Sequence, residues 1–181
     1  MDDVIGKLHG IPFSVKDHIS VKGALCTHGV GSRADYVSKE DAWIVRVLRA
    51  EGGIPFVKTN LPILCTGYYT GCPNWGNCIN PWNKNRNPGG SSGGEAGLIC
   101  SGSSPFGLAS DSGGSLRSPA SAVGICSFMS TPQRLPPNIL DLYLDSATLH
   151  PINSVLGPMA KTSDEIIYLM NILFSEKIYE L

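Results

Sequence analysis

The sequence predicts an α/β fold: a mixed, mainly parallel sheet flanked by helices. Three observations carry this. An apolar run, Ile11–Val15, precedes a helical pattern and a second apolar run, Ile54–Val57, which is the order of a parallel β-α-β unit. Phe106–Ala109 reads as a central strand between Gly/Ser-rich turns. An amphipathic pattern headed by a capping box follows near the end of the chain.

Taken in order, the first strand ends at Lys16. A helix is expected over Lys39–Ala50, with Ser38 as N-cap, Asp41 three residues on, and Ile44, Val47 and Leu48 as its apolar stripe. Gly52-Gly53 stops it, and Ile54–Val57 is expected to be a buried strand. Leu61–Asn87 mixes Gly, Pro, Asn and aromatics without period and reads as loop with one helical turn. Glu95–Cys100 opens a short helix, and Ser115–Val123 a second whose boundary Pro119 leaves open. Gln133–His150 has no periodicity. Thr162-x-x-Glu165 is the capping box, and Ile166, Ile167, Leu169, Met170, Ile172 and Leu173 give the last helix a broad face for packing. No internal repeat or linker divides residues 1–181, so one domain is expected.

Composition excludes several classes. Hydrophobic residues at 42% and charged residues at 16% describe a globular chain, and 21 Gly and 13 Pro a loop-rich one. A net charge of −1 with scattered Lys and Arg gives no basic face for nucleic acid. No apolar run reaches the roughly 18 residues a membrane-spanning helix needs, and Met1–Gly10 has neither the basic nor the apolar part of a secretory signal. The cysteines at 26, 65, 72, 78, 100 and 126 form no C-x-x-C pair, and the histidines at 9, 18, 28 and 150 add no ligand spacing. No metal site or cofactor is expected, and the cysteines read as reduced thiols of an intracellular protein, cytoplasmic or associated with endomembranes.

The chemistry lies between Pro88 and Pro119. Two Gly-Gly-Ser turns, Gly89-Gly90-Ser91-Ser92 and Gly113-Gly114-Ser115, flank an apolar stretch. Leu98, Ile99, Phe106 and Leu108 are core-type residues that a flexible Gly/Ser linker would not carry. Glycines let backbone approach a ligand and expose amides, and the serines offer hydroxyls. A serine attacks only when a base takes its proton. His18 is the one histidine near a motif and lacks an aspartate partner at hydrolase spacing; the G-x-S-x-G elbow is also absent. Lysine is the remaining base, and Lys16 sits at a strand end where burial would lower its pKa.

These segments resemble the amidase signature family of serine hydrolases: GGSSGGE, ASDSGGSLRSP and Gly124-Ile125-Cys126, with Gly10-Ile11-Pro12, Val15-Lys16-Asp17, Asn80-Pro81-Trp82 and Gly157-Pro158-Met159-Ala160-Lys161. The order and spacing match over nearly the whole chain. The resemblance implies Ser115 as nucleophile, Lys16 as base and Ser91 as the proton relay between them. It implies a cis peptide at Ser91-Ser92 and an oxyanion hole from the amides of Ser112, Gly113, Gly114 and Ser115. Ser92, Asp111 and Arg117 match supporting positions; Asp111 and Arg117 form either part of the site's support or an ordinary salt bridge. Ser127-Phe128-Met129-Ser130-Thr131 departs from the family's usual Gly-Leu-Lys-Pro-Thr. Family members are longer, so the chain is expected to be a partial amidase domain, with membrane association belonging to the longer protein. The branch it most resembles cleaves fatty-acid amides, which implies a lipid-like small-molecule amide substrate and no nucleic-acid partner. The alternatives are an amidotransferase subunit acting on glutamyl or aspartyl transfer RNA, and an inactive truncated product. Oligomeric state stays open, a homodimer included.

Overall fold

The computed structural model describes residues 4–136 and 154–175. Its centre is a five-stranded sheet in the order β2-β1-β5-β7-β6. The strands are β1 (Pro12–Lys16), β2 (Ile54–Thr59), β5 (Phe106–Asp111), β6 (Cys126–Ser127) and β7 (Val155–Ala160). β1 pairs in parallel with both β2 and β5, and β7 pairs antiparallel with β5 and β6. Four strands therefore share one direction and β7 opposes them, the mixed, mainly parallel sheet expected. A two-stranded ribbon, β3 (Gly71–Cys72) and β4 (Gly76–Asn77), stands apart.

Strand alternation sorts side chains onto two layers. Phe13 and Val15 of β1, Phe106 and Leu108 of β5, and Leu156 and Ala160 of β7 face one side. There α1 (Trp43–Ala50) and α4 (Ser163–Leu173) cover them with Ile44, Val47, Leu48, Ile166, Leu169 and Leu173. On the other side, Ala109 and Met159 meet Ala96 and Ile99 of α2 (Gly93–Cys100) and Ala120 and Val123 of α3 (Arg117–Val123). Ser14 and Lys16 alternate with Phe13 and Val15, so they point into this second layer, beneath α2. The sheet thus delivers a lysine to the layer that carries both serine turns.

Several expectations are corrected. The first helix starts at Trp43, not Lys39, and its N-cap position is Ala42, without a side-chain cap. Ser38 is spent on a backbone pairing with Gly23 and Ala24, while Asp41 accepts from the Lys22 amide and pairs with Arg49. β2 is an edge strand with Ile54 and Phe56 about half exposed, not a buried one. The capping box of α4 forms as expected, Thr162 and Glu165 exchanging side-chain-to-backbone hydrogen bonds. Most of Gln133–His150 lies outside the described residues. No helix of the described residues is long and apolar enough to cross a membrane.

Candidate active site

Lys16 is the last residue of β1 and is fully buried. Its Nζ donates to Ser91 Oγ at 2.7 Å, Ser92 Oγ at 2.9 Å and Ser110 Oγ at 3.4 Å. Ser91 and Ser92 are themselves without solvent exposure. Burial strips the ammonium of water and lowers the Lys16 pKa from its ordinary 10.5, against the opposing pull of Cys65, Glu95 and Asp111. Burial shifts the lysine toward the neutral amine, the form that accepts a proton.

The serine loop is held by neighbours that sequence reasoning passed over. Thr70 Oγ1 donates to the Gly89 carbonyl at 2.7 Å and accepts from the Gly93 amide at 3.0 Å, which spans the loop and opens α2. The Tyr68 backbone lies against Gly90, and its hydroxyl donates to the Gly113 carbonyl at 2.5 Å. Tyr68 therefore bridges the two turns. Gly89 packs directly on Pro119 of α3, where a Cβ would come within 2.8 Å of the proline Cα. The two serine turns are neighbours in space. The cis peptide of the loop is Gly90-Ser91, not Ser91-Ser92.

Asp111, at the end of β5, organises the second turn. It accepts from the amides of Gly114 (2.6 Å), Leu116 (3.0 Å) and Arg117 (3.4 Å), and from Arg117 Nε and Nη2, both at 3.0 Å. Burial alone would raise its pKa, but the guanidinium and the three amides outweigh it and hold the carboxyl at about 2. The salt bridge is therefore part of the turn's scaffold. The Gly114 amide is engaged by Asp111, and Gly114 holds φ +118°, which a glycine alone adopts readily. The amides of Ser112, Gly113 and Ser115 have no acceptor among the described residues.

Ser115 is half-buried, and its hydroxyl has no hydrogen-bond partner among the described residues. Lys16, Ser91 and Ser92 are thus brought together, while the Ser91–Ser115 link is not formed. Missed residues are Ser110, Thr70, Tyr68 and Glu95, the last a fully buried carboxyl in the first turn of α2. Glu95 was legible as the residue three after Ser92; the others come from aperiodic loop or a strand whose residues are all buried. Among the described residues no group of three or more His, Cys, Asp or Glu could hold a metal ion. All six cysteines are free thiols.

A buried lysine on a strand end is clasped by two consecutive serines from a Gly-rich loop. The chain belongs to the Amidase family, whose model matches residues 2–179. It is 39% identical over 178 residues to vitamin D3 hydroxylase-associated protein of Gallus gallus, covering 97% of this chain and 38% of that one. It is 36% identical over 178 residues to fatty-acid amide hydrolase 1 of Sus scrofa, covering 97% of this chain and 30% of that protein. A solved structure of fatty acid amide hydrolase superposes with a TM-score of 0.87 at 28% identity, covering 97% of this chain and 31% of its own. The chain therefore spans about a third of the length of the relatives it matches.

Proposed function

We propose that this chain carries the catalytic centre of an amide hydrolase that works through an acyl-enzyme, with a fatty-acid amide as substrate. The observation that supports this most directly is the buried Lys16 Nζ at 2.7 Å from Ser91 Oγ. Neutral Lys16 takes the Ser91 proton as Ser91 takes that of Ser115, and Ser115 attacks the amide carbonyl. Negative charge on the carbonyl oxygen is met by the amides of Ser112, Gly113 and Ser115. Ser91 then returns the proton to the leaving amine, without which C–N cleavage stalls. Water repeats the sequence on the acyl-enzyme and releases the carboxylic acid.

The lipid-like substrate rests on the likeness to fatty-acid amide hydrolase in sequence and structure and on GGE after the serine pair, the pattern of the fatty-acid amide branch. A fluorophosphonate probe followed by peptide mapping tests the chemistry: modification at Ser115 is expected, with Ser115→Ala unlabelled. Modification of another residue, or labelling that survives Ser115→Ala, overturns it. On the longer protein, release of long-chain acid from a primary fatty amide supports the lipid reading. Deamidation of glutamine instead supports the amidotransferase reading.

A further inference from the structure

Glu95 is a buried carboxyl for which the proposed chemistry has no use. It stands in the first turn of α2 with no solvent exposure, on the same layer as Lys16. Its Oε2 accepts from Ser14 Oγ at 2.5 Å and its Oε1 from Thr59 Oγ1 at 2.7 Å. Ser14 lies two residues before Lys16 on β1, so both point to the same face. Gly107 on β5 makes the space: a Cβ there would collide with the Glu95 carboxylate and with Ser14 Oγ. Three strands and a helix thus build a compartment for one carboxyl beside the lysine. Ser14 Oγ also has a second acceptor, the Phe106 carbonyl at 3.3 Å. That allows two arrangements. An ionised Glu95 accepts from Ser14; a protonated Glu95 donates to Ser14, whose own proton turns to Phe106.

We propose that Glu95 is a positioning residue that sets the charge state of Lys16: ionised, it holds the lysine protonated; protonated, it releases the lysine as the free base. This rests on the reading of Lys16 as the base. Glu95 touches neither substrate nor Ser115 and acts only through the field at Lys16. Burial raises the Glu95 carboxyl to about 7, against hydrogen bonds from Ser14 and Thr59 and the cations Lys58 and Lys16. Around Lys16 the facing groups are Cys65 after β2, Glu95 from α2 and Asp111 from β5, with His18 just beyond β1. Of the carboxyls among them, Asp111 stays ionised down to about pH 2, so near neutrality Glu95 is the one that changes charge. Two groups coupled in this way titrate as a pair, each holding a proton at the other's expense.

The test follows the Lys16 Cε and Glu95 Cδ resonances against pH by carbon NMR in the wild-type chain, then in Glu95→Gln. Removing the carboxylate should move the Lys16 midpoint to lower pH, the direction expected when an opposite charge is lost. The acid limb of fluorophosphonate labelling should move the same way. In the wild type, which needs no variant to fold, the Lys16 signal should respond as Glu95 titrates. An unchanged Lys16 midpoint in Glu95→Gln, or a wild-type lysine that ignores the Glu95 titration, overturns the proposal. If Lys16→Ala instead keeps full labelling with the same acid limb, the assignment of the base has failed and not the Glu95–Lys16 coupling.

Discussion

A lysine without water must either lose its proton or be repaid by neighbouring charge and hydroxyls. Lys16 has both routes: three serine oxygens within 3.4 Å, and Glu95 and Asp111 in the surrounding field. At the other turn Asp111 shows what a single carboxylate can organise, joining three amides and a guanidinium. Asp111→Asn should cost about 1–3 kcal/mol, since buried amides lose a charged acceptor; urea denaturation at neutral pH checks this. With the carboxyl depressed from 3.8 to about 2, the folded state binds fewer protons there than the unfolded chain. Its stabilisation is present above pH 3.8 and is lost as pH falls through about 2. Glu95 works in the opposite sense. Raised from 4.5 to about 7, its contribution is present below 4.5 and lost as pH rises through 7. Melting temperatures of Glu95→Gln against wild type should therefore converge towards acid pH and separate above 7, the variant being relatively more stable there.

At the scale of elements, α4 is the part whose local signals and tertiary role agree most fully. Its capping box satisfies two end groups, and Ile166, Leu169, Ile172 and Leu173 enter the core. Thr162→Ala should cost about 1 kcal/mol and Ile172→Ala about 2–5 kcal/mol, both read from denaturation midpoints. The same agreement made α4 legible in the sequence, as it did the β1-α1-β2 unit. Where local and tertiary demands diverge, the sequence misled. β7 was not read from the sequence at all, because Gly157 and Pro158 interrupt its apolar pattern and only its burial on both faces makes it a strand. Ser38 and Asp41 resemble a helix start, but the Ser38 backbone pairs with the 22–24 loop and the Asp41 carboxylate accepts from the Lys22 amide. In the site, Lys16, Ser91 and Ser92 were readable because the chemistry restricts residue type and spacing. Tyr68 and Thr70 were not, because an aperiodic loop gives no sign of what it folds against.

For the whole molecule, the sheet leaves β2 and β6 as its edges. On β2, Ile54 and Phe56 stay about half exposed, and Tyr68, Trp75, Ile79 and Trp82 add apolar surface from the 61–87 segment. Exposed edges and apolar surface of this kind drive association. The chain on its own should self-associate and bind apolar dyes, and Ile54→Lys with Phe56→Lys should lower both by sedimentation and fluorescence. The centre of the molecule is a different matter, since the buried lysine joins β1 to the serine loop ahead of α2 and to Ser110 of β5. That centre is tested most directly by the rate at which a fluorophosphonate labels Ser115, measured from acid to alkaline pH in wild type and in Lys16→Ala. Strongly slowed labelling is expected in the variant, most at neutral pH, with the acid limb abolished. Equal rates in the two proteins across that range would contradict it and leave Lys16 a structural residue.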